Sequence, residues 1–348
     1  MRYTIEDVAK RACVSISTVS RVLNNNYPVK KETRERIEEA IKALDYKPNP
    51  LARGLVSGKS NIIGILVPNL KSLIYTEMIS YLETNLSNNG YDVMITTTNS
   101  HKEEEVEAIN RLLNRSVDGI IIIETELSRE DEFLKPISEK TPVIFVNAHN
   151  EKFNNVYVDN KEAVENVIGY LLKLGHTKVA IVSEEDNKVH EECIKHYKEY
   201  ARSQELYPVI FKIKQESLDN EHIDILEDQL ESKGYVLGRD ITSFIVCDDL
   251  VMMRTINALS NRKVEIPKDI SVINLKNTTL SKIVNPSIST IDISPNKIAD
   301  TVADKILTLL KDKEFVIEGE KVYTGIIERD SCKSLIRQVN SKLEDYFL

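Results

Sequence analysis

Apolar residues recur at two different periods along this chain, and the period changes near residue 60. Over the first 45 residues the spacing is three and four: Ile5, Val8, Ala9 and Ala12, then Val19, Val22 and Leu23, then Ile37, Ala40, Ile41 and Leu44. That spacing lays one apolar stripe along each of three short helices. Thr4 and Asp7 stand at capping-box separation before the first helix, and Ser15 can cap the second. The third is expected from Lys31 to about Leu44. Only a short break at Cys13-Val14 divides the first two, which predicts a helix-turn-helix. Its second helix would carry Ile16, Ser17 and Arg21 on the face opposite the apolar stripe.

Beyond residue 60, short β-branched runs alternate with helical patterns. Strands are expected at 62–67, 92–97, 119–123, 143–146, 179–182, 209–213, 243–247 and 272–275. Helices are expected at 74–88, 103–114, 161–173, 190–203, 223–233, 250–260 and 296–311. This rhythm predicts an α/β body built on parallel, Rossmann-like sheets and preceded by an all-α head. About 270 residues of it suffice for two sheets, and such proteins bind ligands at strand ends or in an interdomain cleft.

Charge sharpens the division. The whole chain carries a net charge of -9, but residues 1–60 hold 12 Lys and Arg against 7 Asp and Glu. A basic head on an acidic body suits a head that neutralises phosphates. Arg21 can fork onto guanine, Ile16 can touch a thymine methyl, and Ser17 can serve a base or a phosphate. A generic three-helix interaction module is the bland alternative.

Little in the chain suggests covalent chemistry. Cys13, Cys193, Cys247 and Cys332 are scattered and form no CxxC pair. The six histidines lack metal-ligand spacing, and the nucleophile elbow, the phosphate loop and the dinucleotide fingerprint are all absent. Gly175-His176 reads as a turn after a helix. A binding protein is expected, with no enzyme activity, cofactor or metal. No apolar run approaches the roughly 18 residues of a membrane span, and Arg2, Thr4, Glu6 and Asp7 stand where a secretory signal would be apolar. A cytoplasmic location is therefore expected.

The motifs DVA at 7–9, VSISTVSRVLN at 14–24, TRERI at 33–37 and YKPNPLARGL at 46–55 resemble the head of the LacI/GalR family of bacterial transcription regulators. The resemblance implies a homodimer on a pseudo-palindromic operator in double-stranded DNA. It places Ile16, Ser17 and Arg21 on base edges, and Thr4, Ser15, Thr18, Ser20 and Asn24 along the phosphate backbone. Residues 49–57 match a hinge helix that enters the minor groove, with Leu55 as the wedge and Asn49, Ala52 and Arg53 lining the groove. Three positions depart from the family: Cys13 replaces a turn glycine, Lys30 replaces a serine cap, and Gly54 replaces a hinge serine.

The resemblance continues to about residue 332 through VDNKEAVENVIGYLLKLGHTKVAIV at 158–182, IPKDISVINL at 266–275 and PSISTIDI at 286–293. It implies a periplasmic-binding-protein-like body. The expected parts are a head at 1–48, a hinge at 49–60, one subdomain at 61–160 plus 293–324, a second at 161–292 plus 325–332, and a tail at 333–348. The tail's apolar stripe at Ile336, Val339, Leu343 and Tyr346 suits a frayed end or one packed on its own dimer better than a tetramer-forming helix.

The effector cleft keeps few of the family's polar residues. Cys193 stands at the usual arginine, Lys276 at a frequent aspartate, and Ser72-Leu73-Ile74-Tyr75 where a cleft-lining NPF(F/Y) segment is usual. Candidate cleft residues are Asn69, Ser72, Tyr75, Thr98, Asn147, Asp159, Asn187, Cys193, Asp248 and Lys276. Asp159 could serve a ligand or cap its helix, and Lys276 could pair an anionic group or a protein carboxylate. A repressor controlled by an unusual small effector is expected. The alternatives are a regulator that answers to a regulatory protein, one without an effector, and a ligand-binding module with a vestigial head.

Overall fold

A computed structural model describes residues 3–24, 28–47, 59–99, 101–125, 127, 130–147, 153–185, 187–214, 225–312 and 319–336. The chain divides into two compact units, Met1–Asn61 and Ile62–Leu348.

The first unit folds as α1 (Ile5–Ala12), α2 (Ile16–Asn24) and α3 (Lys31–Ala43). Its small core is Val8, Ala9, Ala12, Val19, Val22, Ile37 and Ala40, with Ile5, Leu23, Ile41 and Leu44 packed against it. These are the residues at the three-and-four spacing, so local periodicity sets this core. Thr4 and Asp7 close the capping box: the Asp7 carboxylate accepts from the Thr4 N–H at 2.8 Å, and the Thr4 hydroxyl accepts from the Asp7 N–H at 3.4 Å.

The second unit comprises two α/β lobes. The first contains β1 (Ile62–Val67), α4 (Leu73–Asn88), β2 (Asp92–Thr97), α5 (Lys102–Asn114), β3 (Gly119–Ile123), α6 (Asp131–Ser138), β4 (Val143–Val146) and β5 (Asn155–Val158). The second continues with α7 (Asn160–Lys173), β6 (Val179–Glu184), α8 (Lys188–Ser203), β7 (Val209–Ile213), α9 (Ile225–Ser232), β8 (Ser243–Val246), α10 (Asp249–Asn261), β9 (Ser271–Asn274), α11 (Thr279–Ile283) and β10 (Ser289–Ile291). The chain then returns to the first lobe for α12 (Pro295–Lys311) and β11 (Glu320–Val322), and crosses again to the second for β12 (Ile326–Ile327).

Sheet order is β11-β5-β4-β3-β1-β2 in the first lobe and β12-β10-β9-β8-β6-β7 in the second. The pairings are parallel except β10 with β12. Strands such as β3 and β8 are buried at every residue, as expected where helices cover both faces. One apolar core runs from α4 and α12 on the first sheet through α7 and α8 to the second. Separate clusters fill the far face of each sheet.

Among the described residues, six elements escape the sequence pattern: α6, α11, β5, β10, β11 and β12. The last three strands and α11 have only two to five residues, too few to display a period. Helix α6 carries Pro136 inside it, which reads as a break.

His176 ties the second lobe together. It is fully buried after Gly175, whose φ of 88° ends α7 in the left-handed conformation that glycine permits. Its Nδ1 lies 3.0 Å from the Thr242 hydroxyl, and its Nε2 lies 3.0 Å from both the Lys333 carbonyl and the Ser271 hydroxyl. Since the Lys333 carbonyl can only accept, Nε2 carries the proton. The ring therefore joins three segments far apart in sequence.

Candidate DNA-reading head and effector cleft

Helix α2 divides cleanly into a buried and an open face. Val19 and Val22 lie in the core, whereas Ile16, Ser17 and Arg21 are exposed. Ser17 and Arg21 are one helical turn apart, so a single surface presents both. Ser15 caps the helix by accepting from the Thr18 N–H at 3.2 Å, and its hydroxyl also meets those of Ser17 and Thr18 at 2.8 Å. Thr18 and Ser20 are half-buried, and Thr4 is exposed. The side chain of Asn24 lies outside the described residues, as do Asn49, Ala52, Arg53, Gly54 and Leu55.

The turn before α2 is strained at Cys13, which sits at φ 51° and ψ 49°. Its N–H reaches the Lys10 carbonyl at 3.3 Å while the Val14 N–H reaches Ala9 at 3.0 Å, a Schellman ending that favours glycine. Changing Cys13→Gly removes a left-handed Cβ worth about 1 kcal/mol, partly offset by the freer unfolded chain. A net gain of about 0.5 kcal/mol is expected, read as a higher denaturant midpoint for the head; a lower midpoint would contradict the strain. Lys30 makes no side-chain cap bond to α3, so the serine of the family pattern has no substitute there.

In the second unit a cavity opens between the lobes at the C-terminal ends of the strands, where open parallel sheets place their ligands. The first lobe contributes Ile74, Tyr75 and Met78 from α4, Glu124 after β3, Asn147 after β4, Val158 from β5, and Ile298 from α12. Across from them stand Asn160 at the start of α7, Val189 and Glu192 of α8, and Lys276 after β9, with Ile293 on the segment between lobes. The volume is about 30 Å³, room for about two waters. Pockets for organic ligands run to several hundred Å³, so ligand entry requires the lobes to part. One hydrogen bond opposing that motion runs from the Thr279 N–H to Glu77 Oε1 of α4, at 2.9 Å.

The cavity's polar groups are specifically held. The Tyr75 hydroxyl donates to Glu124; burial and then the Glu124 charge raise the Tyr75 pKa well above the usual phenol value, so it keeps its proton. Glu124 and Asn147 both adopt left-handed backbone, at φ 49° and 57°. Asn tolerates that conformation, but glutamate does so at a cost of about 1 kcal/mol. Asn147 Oδ1 accepts from the Val158 N–H at 3.0 Å, and Asn160 Nδ2 donates to Glu192 at 2.9 Å.

Comparison with known proteins gives this geometry its context. Residues 4–49 match the model of the bacterial regulatory proteins of the lacI family, and residues 168–332 match a periplasmic binding protein-like domain. Catabolite control protein A of Priestia megaterium is 30% identical over 325 residues, covering 91% of this chain and 95% of the relative. The chain belongs to the lacI family. As such it is a DNA-binding transcription regulator. Catabolite control protein A of Staphylococcus xylosus is 28% identical over 333 residues, covering 94% and 98%. Among solved structures, the lac repressor dimer bound to operator and the anti-inducer ONPF superposes with a TM-score of 0.83 at 22% identity, covering 96% of this chain and all of that one. The transcriptional regulator CelR in complex with cellobiose superposes at 0.64 and 19% identity, covering 95% of this chain and all of that one.

For a lacI-family member, the cleft departs from the expected residues. Tyr75, Asn147 and Lys276 line the cavity; Asn69, Ser72, Thr98, Asp159, Asn187, Cys193 and Asp248 do not. Most of these are occupied locally. Asn69 Oδ1 accepts from the Lys71 and Ser72 N–H groups, so it shapes the entry to α4, and Ser72 is the residue before that helix. Thr98 is buried. Asp159 caps α7 through the Glu162 N–H and holds Lys321 at 3.1 Å. Burial alone would raise its carboxyl, but those bonds outweigh it and keep the pKa low. Asn187 caps α8. Cys193 is buried in the core, and that burial pushes its thiol up to about 11, so no charge remains at the usual arginine position. Glu124, Asn160 and Glu192 are the polar liners that the sequence pattern missed. Asn160 stands in the family-like stretch at 158–182, directly after Asp159, but Glu124 and Glu192 lie in no such stretch and are found only through the packing of the two lobes.

Asp248 belongs to a polar cluster with Glu184 and His190, whose ligand-type atoms lie within 4.8 Å of one another. The hydrogen bonds speak against a metal there. The Glu184 N–H donates to His190 Nδ1 at 3.0 Å, which leaves the proton on Nε2, 3.3 Å from Asp248. A ring protonated on Nε2 has no lone pair for a cation at that position. Asp248 also caps α10 through the Val251 N–H at 2.8 Å.

Proposed function

We propose that this regulator is a repressor that binds a pseudo-palindromic operator as a homodimer and is released or tightened by a small effector in the interlobe cleft. One observation carries the DNA reading: Ile16, Ser17 and Arg21 are exposed on one side of α2 while its other side is core. These three read base edges in the major groove. Thr4, Ser15, Thr18, Ser20 and Asn24 hold phosphates, and their hydroxyl and amide groups suit that role. Asn49, Ala52, Arg53 and Leu55 enter the minor groove, with Leu55 opening the central step. The parse into head, hinge, two crossing subdomains and tail follows the boundaries given above. The protein acts in the cytoplasm, and its work is binding rather than bond-making.

Fluorescence anisotropy on selected operator DNA and on random DNA tests this reading. Affinity should fall linearly on log–log axes as salt rises, and the operator should bind at least about 1,000-fold more tightly than random DNA. A ratio near one would favour the vestigial-head alternative. Leu55→Ala should weaken operator binding far more than random-DNA binding, because only the kinked specific complex inserts the wedge. Equal losses on both DNAs would remove the wedge role.

A second reading has support of its own. The full-length relatives at 28–30% identity are catabolite control proteins, and the cavity is small. Under that reading a regulatory protein supplies the signal, and no small molecule shifts the melting temperature.

A further inference from the structure

The two lobes are joined covalently where the chain crosses between them, at 158–160, 291–295 and 322–326. Lys321 adds an ion pair there, holding Asp159 at 3.1 Å and also Glu162 at the start of α7. A further tie lies outside the crossing segments: Glu77 of α4 accepts from the Thr279 N–H of α11 at 2.9 Å. Both of its partners sit close in sequence to residues that line the cavity. Tyr75 and Met78 flank Glu77 on α4, and Lys276 precedes Thr279 by three residues. The segment that presents Thr279 is itself pinned to the second lobe. Asn274 Nδ2 donates to Asp249 at 3.0 Å, the Lys276 N–H donates to Asn274 Oδ1 at 3.1 Å, and Arg329 Nη2 donates to Asn277 Oδ1 at 2.8 Å. Thr279 therefore moves with its lobe, and the bond to Glu77 breaks when the lobes part. An organic ligand larger than the cavity of about 30 Å³ requires that parting, so cleft occupancy and the Glu77 bond exclude each other. Asp249 works against the bond. Burial above all, and then the charges of Asp248 and Glu77, raise its carboxyl to about 6, so Glu77 accepts from Thr279 beside a like charge.

We propose that Glu77 and Thr279 form a latch that holds the ligand-free lobes closed and must break before a ligand enters the cleft. The free protein is then the closed form, and the cleft opens to admit a ligand instead of closing to find one. A ligand shifts this equilibrium only by what it gains in the opened cleft beyond the cost of the lost bond. The latch goes beyond the effector reading and depends neither on which molecule fills the cleft nor on the DNA contacts of the head.

Hydrogen exchange resolved to single amides, together with small-angle X-ray scattering, tests the latch on the full-length protein without ligand. Thr279 is the first residue of α11, and the first N–H groups of a helix have no partner within it. Protection at this amide therefore reports the bond to Glu77 rather than the helix. In the parent, Thr279 should exchange at least about 10-fold more slowly than an unstructured amide, the scale of one hydrogen bond to a charged acceptor. Glu77→Ala should abolish that protection and raise the radius of gyration as the lobes part. Should that variant fold poorly, Glu77→Gln takes its place, since it keeps an acceptor oxygen and loses the charge; Thr279 should then exchange faster than in the parent. An unprotected Thr279 in the parent overturns the latch, as does protection that survives the substitution unchanged. Release of Thr279 with unchanged scattering overturns it too, because the bond would then not hold the lobes. Operator binding is measured separately by the anisotropy ratio, so failure of the latch and failure of the repressor reading are distinguishable.

Discussion

Arg21→Ala should lower affinity for the selected operator by about 10- to 100-fold and flatten base preference at one position in each half-site. The scale follows from a bidentate guanidinium–guanine contact, worth about 1–3 kcal/mol of discrimination. Arg21 lies in the last turn of α2, one turn beyond Ser17 and on the same exposed face. The opposite face is held by Val19 and Val22, so truncating Arg21 leaves the packing of the head intact. Binding to random DNA should lose only the share of one positive charge, with a shallower salt slope by about one ion. Site selection followed by anisotropy measures both effects. An unchanged base preference would remove Arg21 from the reading surface and make it a phosphate contact.

The second large effect is on stability. His176→Ala removes a fully buried ring, takes the imidazole donor from the Lys333 carbonyl, and leaves a cavity beside the Thr242 and Ser271 hydroxyls, which retain only the Lys178 carbonyl and the Lys333 N–H among the described residues. Lost hydrogen bonds and the void together should destabilise the second unit by about 3 kcal/mol, read as a lower urea midpoint. The same residue predicts a pH dependence. Burial holds its pKa below the usual 6.5, so the unfolded chain binds the proton more readily than the fold does. The contribution to stability is therefore complete above about pH 6.5 and is lost as pH falls toward the folded value. Asp249 acts in the opposite sense: burial raises its carboxyl to about 6, which makes it lose stability as pH rises through that value. The comparison that isolates His176 is the difference between parent and His176→Ala across pH 5 to 8. That difference should shrink as pH falls, and a difference independent of pH would contradict the assignment.

The head was almost wholly legible in the sequence. Stripes at three and four residues, a capping box at Thr4 and Asp7, and a serine cap at Ser15 are contacts between residues at most four apart. Even the Cys13 departure was visible as a turn position that lacks its glycine, and the structure resolves it into left-handed strain. The long strands and helices of the body were legible for the same reason. The short strands β5, β10, β11 and β12 were not, because each exists only through a partner from another part of the chain, such as Glu320 beside Val156.

The cleft shows where local reasoning ends. Asp159, Asn187 and Asp248 look like ligand groups in the sequence, yet each spends a carboxylate or amide oxygen on the N–H three residues ahead. Glu124 and Glu192 carry no such motif, and they meet Asn160 in one cavity because separate strand ends and helix starts converge there. The sequence by itself therefore determined the helix-turn-helix, the alternating α/β body and the family to which they belong, since periodicity and caps are properties of neighbouring residues. Only the tertiary structure decided which polar side chains remain for a ligand. That outcome depends on which of them the local backbone consumes and which the folding of two lobes brings face to face.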